Sequence, residues 1–262
     1  MFATVKLNNE KVKAIPIVVD ERPVKGAALF PDVYANVFFC AKTKRGKTAA
    51  LFKSLQRCSG KNTKIIVFCS TLNRDASWAT IRQWAEGKGI PFVGHLSIKD
   101  ENGIDRLKAF IEELQEPEDG QEEKVKNIFD SDDEEEDKPR PPKYQAPEYI
   151  FILDDVAREC RSPSVSTLLK KSRHFKAKVF VSSQYPADLQ PEARLQLGYW
   201  ILFKDHSRKK IDEIHADTDS SLEPDEFYRV YKFATEQPYS FLYIDRNTGT
   251  FRRNFNTLIE VE

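Results

Sequence analysis

Residues 36–48 read NVFFCAKTKRGKT, a short apolar run followed by a basic turn that ends in Gly46, Lys47 and Thr48. The apolar run is rich in aromatic residues, which predicts a short strand buried on both faces. From Lys47 onward the apolar residues recur at helical spacing, which predicts a helix over 47–57. The stretch therefore predicts a strand, a loop and a helix in immediate succession.

A loop in this setting can bind phosphate, because its backbone N–H groups and the helix N-terminus both face the anion. Gly46 permits close backbone approach, Lys47 supplies a cation for the β- and γ-phosphate oxygens, and Thr48 supplies a hydroxyl for magnesium. The predicted nucleotide-binding residues are Ala41, Lys42, Thr43, Lys44, Arg45, Gly46, Lys47, Thr48 and Ala49. The alternative is a basic turn that binds no phosphate.

A second strand, YIFILDD (149–155), ends in two adjacent carboxylates, Asp154 and Asp155. An acid at the end of a buried strand can hold Mg²⁺ directly or through water, and its neighbour can polarise an attacking water. Adjacent carboxylates also cap helices and fill turns. Paired with the loop at 41–48, however, they predict a nucleotide site.

A third strand, AKVFVSSQ (177–184), leads into Gln184, which can orient water or sense the γ-phosphate. The alternative for Gln184 is a plain turn residue. Arginine commonly neutralises transition-state charge on phosphate, and Arg173 and Arg194 are the candidates for that role. Each is otherwise an ordinary surface residue.

Strand and helix patterns alternate along the chain, which predicts one α/β domain over 1–262 with a mainly parallel sheet flanked by helices. A β-rich segment is expected at 3–20, and two strands around Asn247-Thr248-Gly249 predict a closing hairpin. Residues 116–147 are acidic, proline-rich and nearly free of apolar anchors, which predicts a disordered insertion.

The net charge of zero hides an uneven distribution. Residues 112–137 hold 14 acidic and 2 basic residues, and the rest of the chain holds 39 basic and 27 acidic residues. A basic body favours a polyanion partner, and the acidic strip can compete for the same surface; a solvated charged surface is the alternative. Basic residues with interleaved aromatics at 170–178, 204–210 and 252–255 predict nucleic-acid binding without sequence specificity.

Several classes of protein are not favoured. No apolar run approaches the roughly 18 residues of a membrane span, and the first residues lack a secretory signal pattern. The four cysteines stand far apart, without ligand spacing, which predicts reduced thiols and no zinc site. We therefore expect a soluble intracellular protein without membrane insertion.

With these segments in order, the chain resembles the FtsK/HerA-type P-loop ATPases, specifically the viral genome-packaging ATPases of poxviruses, giant viruses, virophages and Maverick/Polinton-type elements. The resemblance spans roughly 33–244. It rests on the GKT loop, on FILDDV (151–156), and above all on SRHFKAKVFVSSQYPADLQPEARLQLGYWILFK (172–204).

The resemblance implies an ASCE-type P-loop NTPase fold and ATP hydrolysis with Mg²⁺, coupled to movement of double-stranded DNA into a capsid. It implies a homo-oligomeric ring, a capsid or vertex protein as partner, and a place in the host cytoplasm (viral factory), the nucleus or the virion. The implied roles are as follows: Lys47 and Thr48 bind phosphates and Mg²⁺, Asp154 holds the metal, Asp155 is the catalytic acid, Gln184 senses the γ-phosphate, and Arg194, or else Arg173, acts across a subunit boundary.

Three departures bear on the rate of hydrolysis. Ala41 replaces the first glycine of the loop, and Lys44-Arg45 replace small residues. Asp155 stands where many relatives use glutamate. Two alternative functions stay open: another P-loop motor or helicase acting on replication intermediates, and a non-enzymatic DNA-binding protein with a decayed loop.

Overall fold

The structure, a computed structural model, describes residues 20–115 and 143–261. The predicted β-rich segment at 3–20 falls almost wholly outside these residues, as does most of the predicted disordered insertion. The described strands are β1 (Asn36–Cys40), β2 (Lys64–Cys69), β3 (Phe92–His95), β4 (Tyr149–Asp154), β5 (Ala177–Ser183), β6 (Tyr199–Phe203), β7 (Phe241–Asp245), β8 (Thr250–Arg253) and β9 (Thr257–Ile259). The described α-helices are α1 (Lys47–Cys58), α2 (Ala76–Gly87), α3 (Arg106–Glu113), α4 (Pro163–Lys171), α5 (Pro191–Arg194), α6 (Arg208–Thr218) and α7 (Pro224–Ala234).

These strands form one sheet in the order β3-β2-β4-β5-β1-β6-β7-β8-β9. The first six in that order pair in parallel, because helix-containing connections return the chain to the same edge. The last three add antiparallel strands, with β7 and β8 joined by the predicted hairpin. The predicted fold class is confirmed. The short, largely exposed β9 was not predicted, because three residues carry too little pattern.

Strand β1 lies inside the sheet, and all five of its residues are buried. Phe38 and Cys40 face one hydrophobic cluster, and Val37 and Phe39 face the other. Helices α1 and α2 cover the second face, and α3 to α7 cover the first. Burial on both faces explains why the strand reads as a continuous apolar run.

The register of the parallel strands brings three carboxyl ends together. Cys40 at the end of β1 pairs with Ser183 of β5, and Asp154 at the end of β4 pairs with Ser182 of β5. Strand β5 therefore lies between the strand that precedes the loop and the strand that ends in the acids. The loop after β1 therefore faces polar groups from the ends of β5 and β4.

The disorder predicted for 116–147 is wrong at its C-terminal end. The Gln145 N–H donates to the Pro23 carbonyl at 3.0 Å, and its own carbonyl accepts from the Lys25 N–H at 2.8 Å. The Thr63 hydroxyl donates to the Pro147 carbonyl at 2.6 Å. Composition alone could not reveal this order, because it depends on backbone hydrogen bonds to distant segments.

Among residues 20–115 and 143–261, no helix has the length and apolar character that crossing a bilayer requires.

Candidate nucleotide-binding site

A cavity of about 760 Å³ opens where the carboxyl ends of β1, β4 and β5 meet. The whole predicted loop, Ala41–Ala49, lines it. The lining also includes Thr71, Asp75, Ser77, Asp154, Asp155, Ala157, Ser182, Ser183, Gln184, Tyr185, Asp188 and Tyr239. The fold therefore brings the predicted loop, both predicted acids and the predicted glutamine to one cavity.

The backbone of the loop explains which of its unusual residues matter. Gly46 precedes α1 with a φ of 94°, and Lys44 has a φ of 64°, so both lie in the left-handed region. Ala41 has no such φ; it is buried, and its N–H donates to the Ser183 carbonyl at 3.3 Å. Alanine is thus accommodated in place of the first glycine. The strained position is Lys44, where a side chain costs roughly 1–2 kcal/mol.

Lys47 and Asp154 form the central ion pair of the cavity. The Lys47 Nζ lies 2.8 Å from the Asp154 Oδ1, with the two side chains 21% and 8% exposed. The Ser182 hydroxyl donates to the same carboxylate oxygen at 2.6 Å. Lys47 and Ser182 of β5 thereby fix the Asp154 carboxylate. The Lys47 ammonium group lies at the position where an incoming anion would bind.

The donors near this pair fit a magnesium ion. Mg²⁺ prefers oxygen ligands, and in nucleotide sites one or two protein ligands are completed by phosphate and water oxygens. Thr48 offers a hydroxyl and Asp154 a carboxylate, and both residues line the cavity. In the described part of the chain, no cluster of three or more His, Cys, Asp or Glu side chains could hold a metal ion alone.

Asp155 directly follows Asp154, but its backbone leaves the extended conformation of β4. Its φ is 55°, and its side chain is exposed on the cavity. The Ser70 hydroxyl, just beyond β2, contacts both the Asp155 carbonyl at 2.8 Å and Oδ2 at 3.1 Å. The left-handed turn and the serine thus place the second carboxylate at the cavity while the first stays buried.

The main chain at Gln184 is held from the α6 side. The Lys210 Nζ donates to the Gln184 carbonyl at 2.7 Å and lies 3.7 Å from the centroid of the Tyr185 ring. The His206 Nε2 lies 3.1 Å from the Cys40 carbonyl, and its Nδ1 lies 3.4 Å from the Lys210 Nζ. Burial lowers the pKa of His206 to about 4, so the ring is neutral near pH 7 and donates from Nε2. This network leaves the Gln184 side chain exposed at the cavity.

Neither predicted arginine lines the cavity of its own chain. Arg194, at the end of α5, pairs with Asp217 of α6 at 2.7 Å. Arg173 lines a different cavity of about 370 Å³, together with Asn36, the first residue of β1. Both arginines are therefore near the amino-terminal edge of the parallel strands, opposite the loop. A role across a subunit boundary stays a prediction.

Arg45, predicted to bind the nucleotide, also forms an ion pair with Asp205 in the segment after β6. Sequence reasoning missed other residues of this site. The sequence predicts Ser182 and Ser183 only as the end of a strand, although the Ser183 hydroxyl also donates to the Asp188 carboxylate. Tyr239 has no recognisable motif, and only the folded chain places it beside the loop.

The predicted DNA-binding clusters need a correction. Lys178, within 170–178, is fully buried, and its Nζ donates to the Asp32 carbonyl at 2.8 Å. Lys210, within 204–210, is also buried, at 8% exposure. Neither lysine is available to a DNA phosphate. In addition, 170–178 lies at the amino-terminal edge of the parallel strands and 204–210 at the carboxyl edge, so these two clusters do not form one surface.

No protein-family model matches the chain, and no curated protein matches it. Solved structures do. The genome packaging NTPase B204 from Sulfolobus turreted icosahedral virus 2, in complex with AMPPCP, superposes with a TM-score of 0.54 at 14% identity, over 85% of this chain and 98% of that chain. Its ATP-gammaS complex gives 0.52 at 15% identity, over 84% and 96%. The DNA-packaging ATPase B204 from Sulfolobus Turreted Icosahedral Virus gives 0.51 at 15% identity, also over 84% and 96%. The chain therefore has the fold of a P-loop ATPase, which confirms at the level of fold the predicted resemblance.

The loop backbone predicts different outcomes for two small substitutions. Ala41→Gly removes a buried methyl group and frees the unfolded chain, so the free energy of unfolding should fall by about 1 kcal/mol with no gain in affinity for ATP analogues. Gly46→Ala should weaken analogue binding, because its φ is unfavourable and its Cβ would lie 3.3 Å from the Tyr239 Cδ1. Urea denaturation and analogue titration measure both effects. Tighter binding by the Ala41→Gly variant would contradict this account of the loop.

The buried His206 predicts that the folded protein becomes less stable as the pH falls. Since the pKa of His206 is about 4 in the folded chain and 6.5 ordinarily, the unfolded state binds more protons between these values. Its contribution to stability is complete above about pH 6.5 and is lost at up to about 1.4 kcal/mol per pH unit as the pH falls toward 4. His206→Gln should flatten the profile of stability against pH in that window. Parallel profiles for wild type and His206→Gln would refute the assignment.

Proposed function

We propose that this protein is an ATP-hydrolysing motor that moves double-stranded DNA into a viral capsid. The observation that carries the ATPase part is the Lys47–Asp154 pair, held at 2.8 Å in a cavity lined by the loop and by the ends of two neighbouring strands. The packaging part is supported by the fold, which matches that of a genome packaging NTPase.

In this proposal the triphosphate occupies the loop 41–48. The N-terminus of α1 and the loop N–H groups stabilise its negative charge, and Lys47 exchanges its contact with Asp154 for phosphate oxygens. Thr48 and Asp154 would hold Mg²⁺, which when bound neutralises charge on the phosphates. The Ser182 hydroxyl keeps the Asp154 carboxylate in place when Lys47 leaves it.

Asp155 and Gln184 act on the attacking water. Asp155 presents an exposed carboxylate that can accept a proton from the water, while the Gln184 amide can orient the water toward the γ-phosphoryl group. Both main chains are fixed, Asp155 by Ser70 and Gln184 by Lys210. The shorter side chain of aspartate requires the water to lie closer than glutamate would, so we propose a slow basal rate.

The transition-state arginine would come from a neighbouring subunit of a homo-oligomeric ring. Arg173 and Arg194 are near the sheet edge opposite the cavity, which makes a role within one chain geometrically unsuitable. Arg194 would first have to leave Asp217, whereas Arg173 is exposed. A capsid or vertex protein would anchor the ring, in the viral factory of the host cytoplasm, in the nucleus or on the virion.

Lys47→Ala tests the proposed ATPase. Loss of the cation should lower the DNA-stimulated rate of ATP hydrolysis by at least about 100-fold. Asp154 then loses its ion-pair partner, so thermal unfolding should be recorded alongside; since Lys47 is partly exposed, we expect less than the roughly 3–5 kcal/mol lost with a fully buried pair. Lys53→Ala, at an exposed lysine of α1, is the matched control and should keep the wild-type rate. A folded Lys47→Ala protein with undiminished hydrolysis would rule out the site.

The choice of DNA tests the motor. A packaging motor that tracks duplex DNA should be stimulated more by long blunt duplex than by single strands of equal nucleotide content. Hydrolysis rates with each polymer, at several salt concentrations, measure this preference. Stronger stimulation by single strands would favour a helicase. Absence of ATP binding altogether would favour a non-enzymatic protein with a decayed loop.

A further inference from the structure

Tyr239 is an unusually placed residue on the rim of the nucleotide cavity. It is 72% exposed, although it lies only two residues before the buried strand β7. It lines the same cavity as the loop. A Cβ on Gly46 would lie 3.3 Å from its Cδ1, so the tyrosine lies directly against the start of α1.

The backbone at Tyr239 is strained for such a side chain. Its φ is 63°, in the left-handed region where bulky residues are rare and cost roughly 1–2 kcal/mol. An exposed ring recovers little of that cost by hydrophobic burial. Strain of this kind persists mainly where surrounding structure imposes it, and often at ligand sites. The fold thus holds an aromatic ring at the cavity without an evident benefit to its own stability.

The orientation of a bound nucleotide in the cavity follows from the positions of Asp154 and Asp155. Asp154 and Asp155 end β4, which lies beyond β5 on one side of β1. Tyr239 precedes β7, which lies beyond β6 on the other side of β1. A triphosphate held at Lys47 with its terminal phosphate toward the acids therefore directs its nucleoside toward Tyr239.

A second aromatic residue among the described lining, Tyr185, is unsuited to the same role. It follows Gln184 on the side of the cavity where the terminal phosphate would lie. The Lys210 Nζ already lies over its ring, 3.7 Å from the centroid. Of the two rings, only that of Tyr239 stands on the side where a nucleoside would arrive.

We infer that Tyr239 is the base-binding residue of this site and stacks on the purine ring of a nucleoside triphosphate. The inference rests on the proposed function and adds the base subsite to it. Stacking uses the π face, which every base has, so the Tyr239 ring should favour a nucleotide over a phosphate ligand that lacks a base. Among the bases it should favour the larger purines. It supplies no hydrogen-bond discrimination between adenine and guanine.

The test uses two variants and two ligands on the full chain. Tyr239→Asn removes the ring but suits the left-handed backbone, and Tyr239→Phe keeps the ring without the hydroxyl. Calorimetric titration compares ATP with inorganic tripolyphosphate, which has the phosphates without a base. We expect Tyr239→Asn to weaken ATP binding by between about 5-fold and about 150-fold and to leave tripolyphosphate binding unchanged. Tyr239→Phe should bind both as the wild type does.

Any other result of these titrations would contradict a specific part of the account. Wild-type affinity for ATP in the Tyr239→Asn protein would overturn the base subsite while leaving the ATPase proposal intact. Equal weakening of ATP and tripolyphosphate would show that Tyr239 acts on the phosphate loop through Gly46, which also overturns the subsite. Wild-type protein that binds neither ligand would overturn the proposed function, and the base subsite with it.

Discussion

The contact between Lys47 and Asp154 depends on the whole arrangement of the sheet. The loop that carries Lys47 follows β1, the carboxylate ends β4, and β5 separates the two strands while adding the Ser182 hydroxyl to the same carboxylate. Moving any of these strands by one residue would point the wrong side chain at the cavity. The register of the buried strands therefore holds one cation and one anion 2.8 Å apart at a common edge.

In the proposed mechanism a single chain lacks one catalytic group, the transition-state arginine. Phosphate-binding groups, both acids and the glutamine converge on the cavity, but the arginines expected to act on the transition state are near the opposite edge. The His206–Lys210 network, which links the end of β1 to the Gln184 loop, offers a physical connection between the cavity and α6.

Much of this architecture was predictable because its signals are local. The apolar runs ending in Cys40, Asp154 and Ser183 mark buried strands, and Gly46-Lys47-Thr48 marks the loop between strand and helix. Other features were not predictable. Lys178 reads as a surface cation but is buried against the Asp32 carbonyl, and Tyr239 reaches the loop only through pairing of β6 with β7. The strain at Lys44, rather than at Ala41, also required the backbone angles.

The most direct test of the central claim is a crystal structure with Mg²⁺ and a non-hydrolysable ATP analogue. The account predicts a triphosphate within the loop 41–48, with the Lys47 Nζ bonded to phosphate oxygens instead of to Asp154, and with Asp154 still bonded to Ser182. An analogue bound elsewhere, or a Lys47–Asp154 pair that persists at saturating analogue, would contradict it.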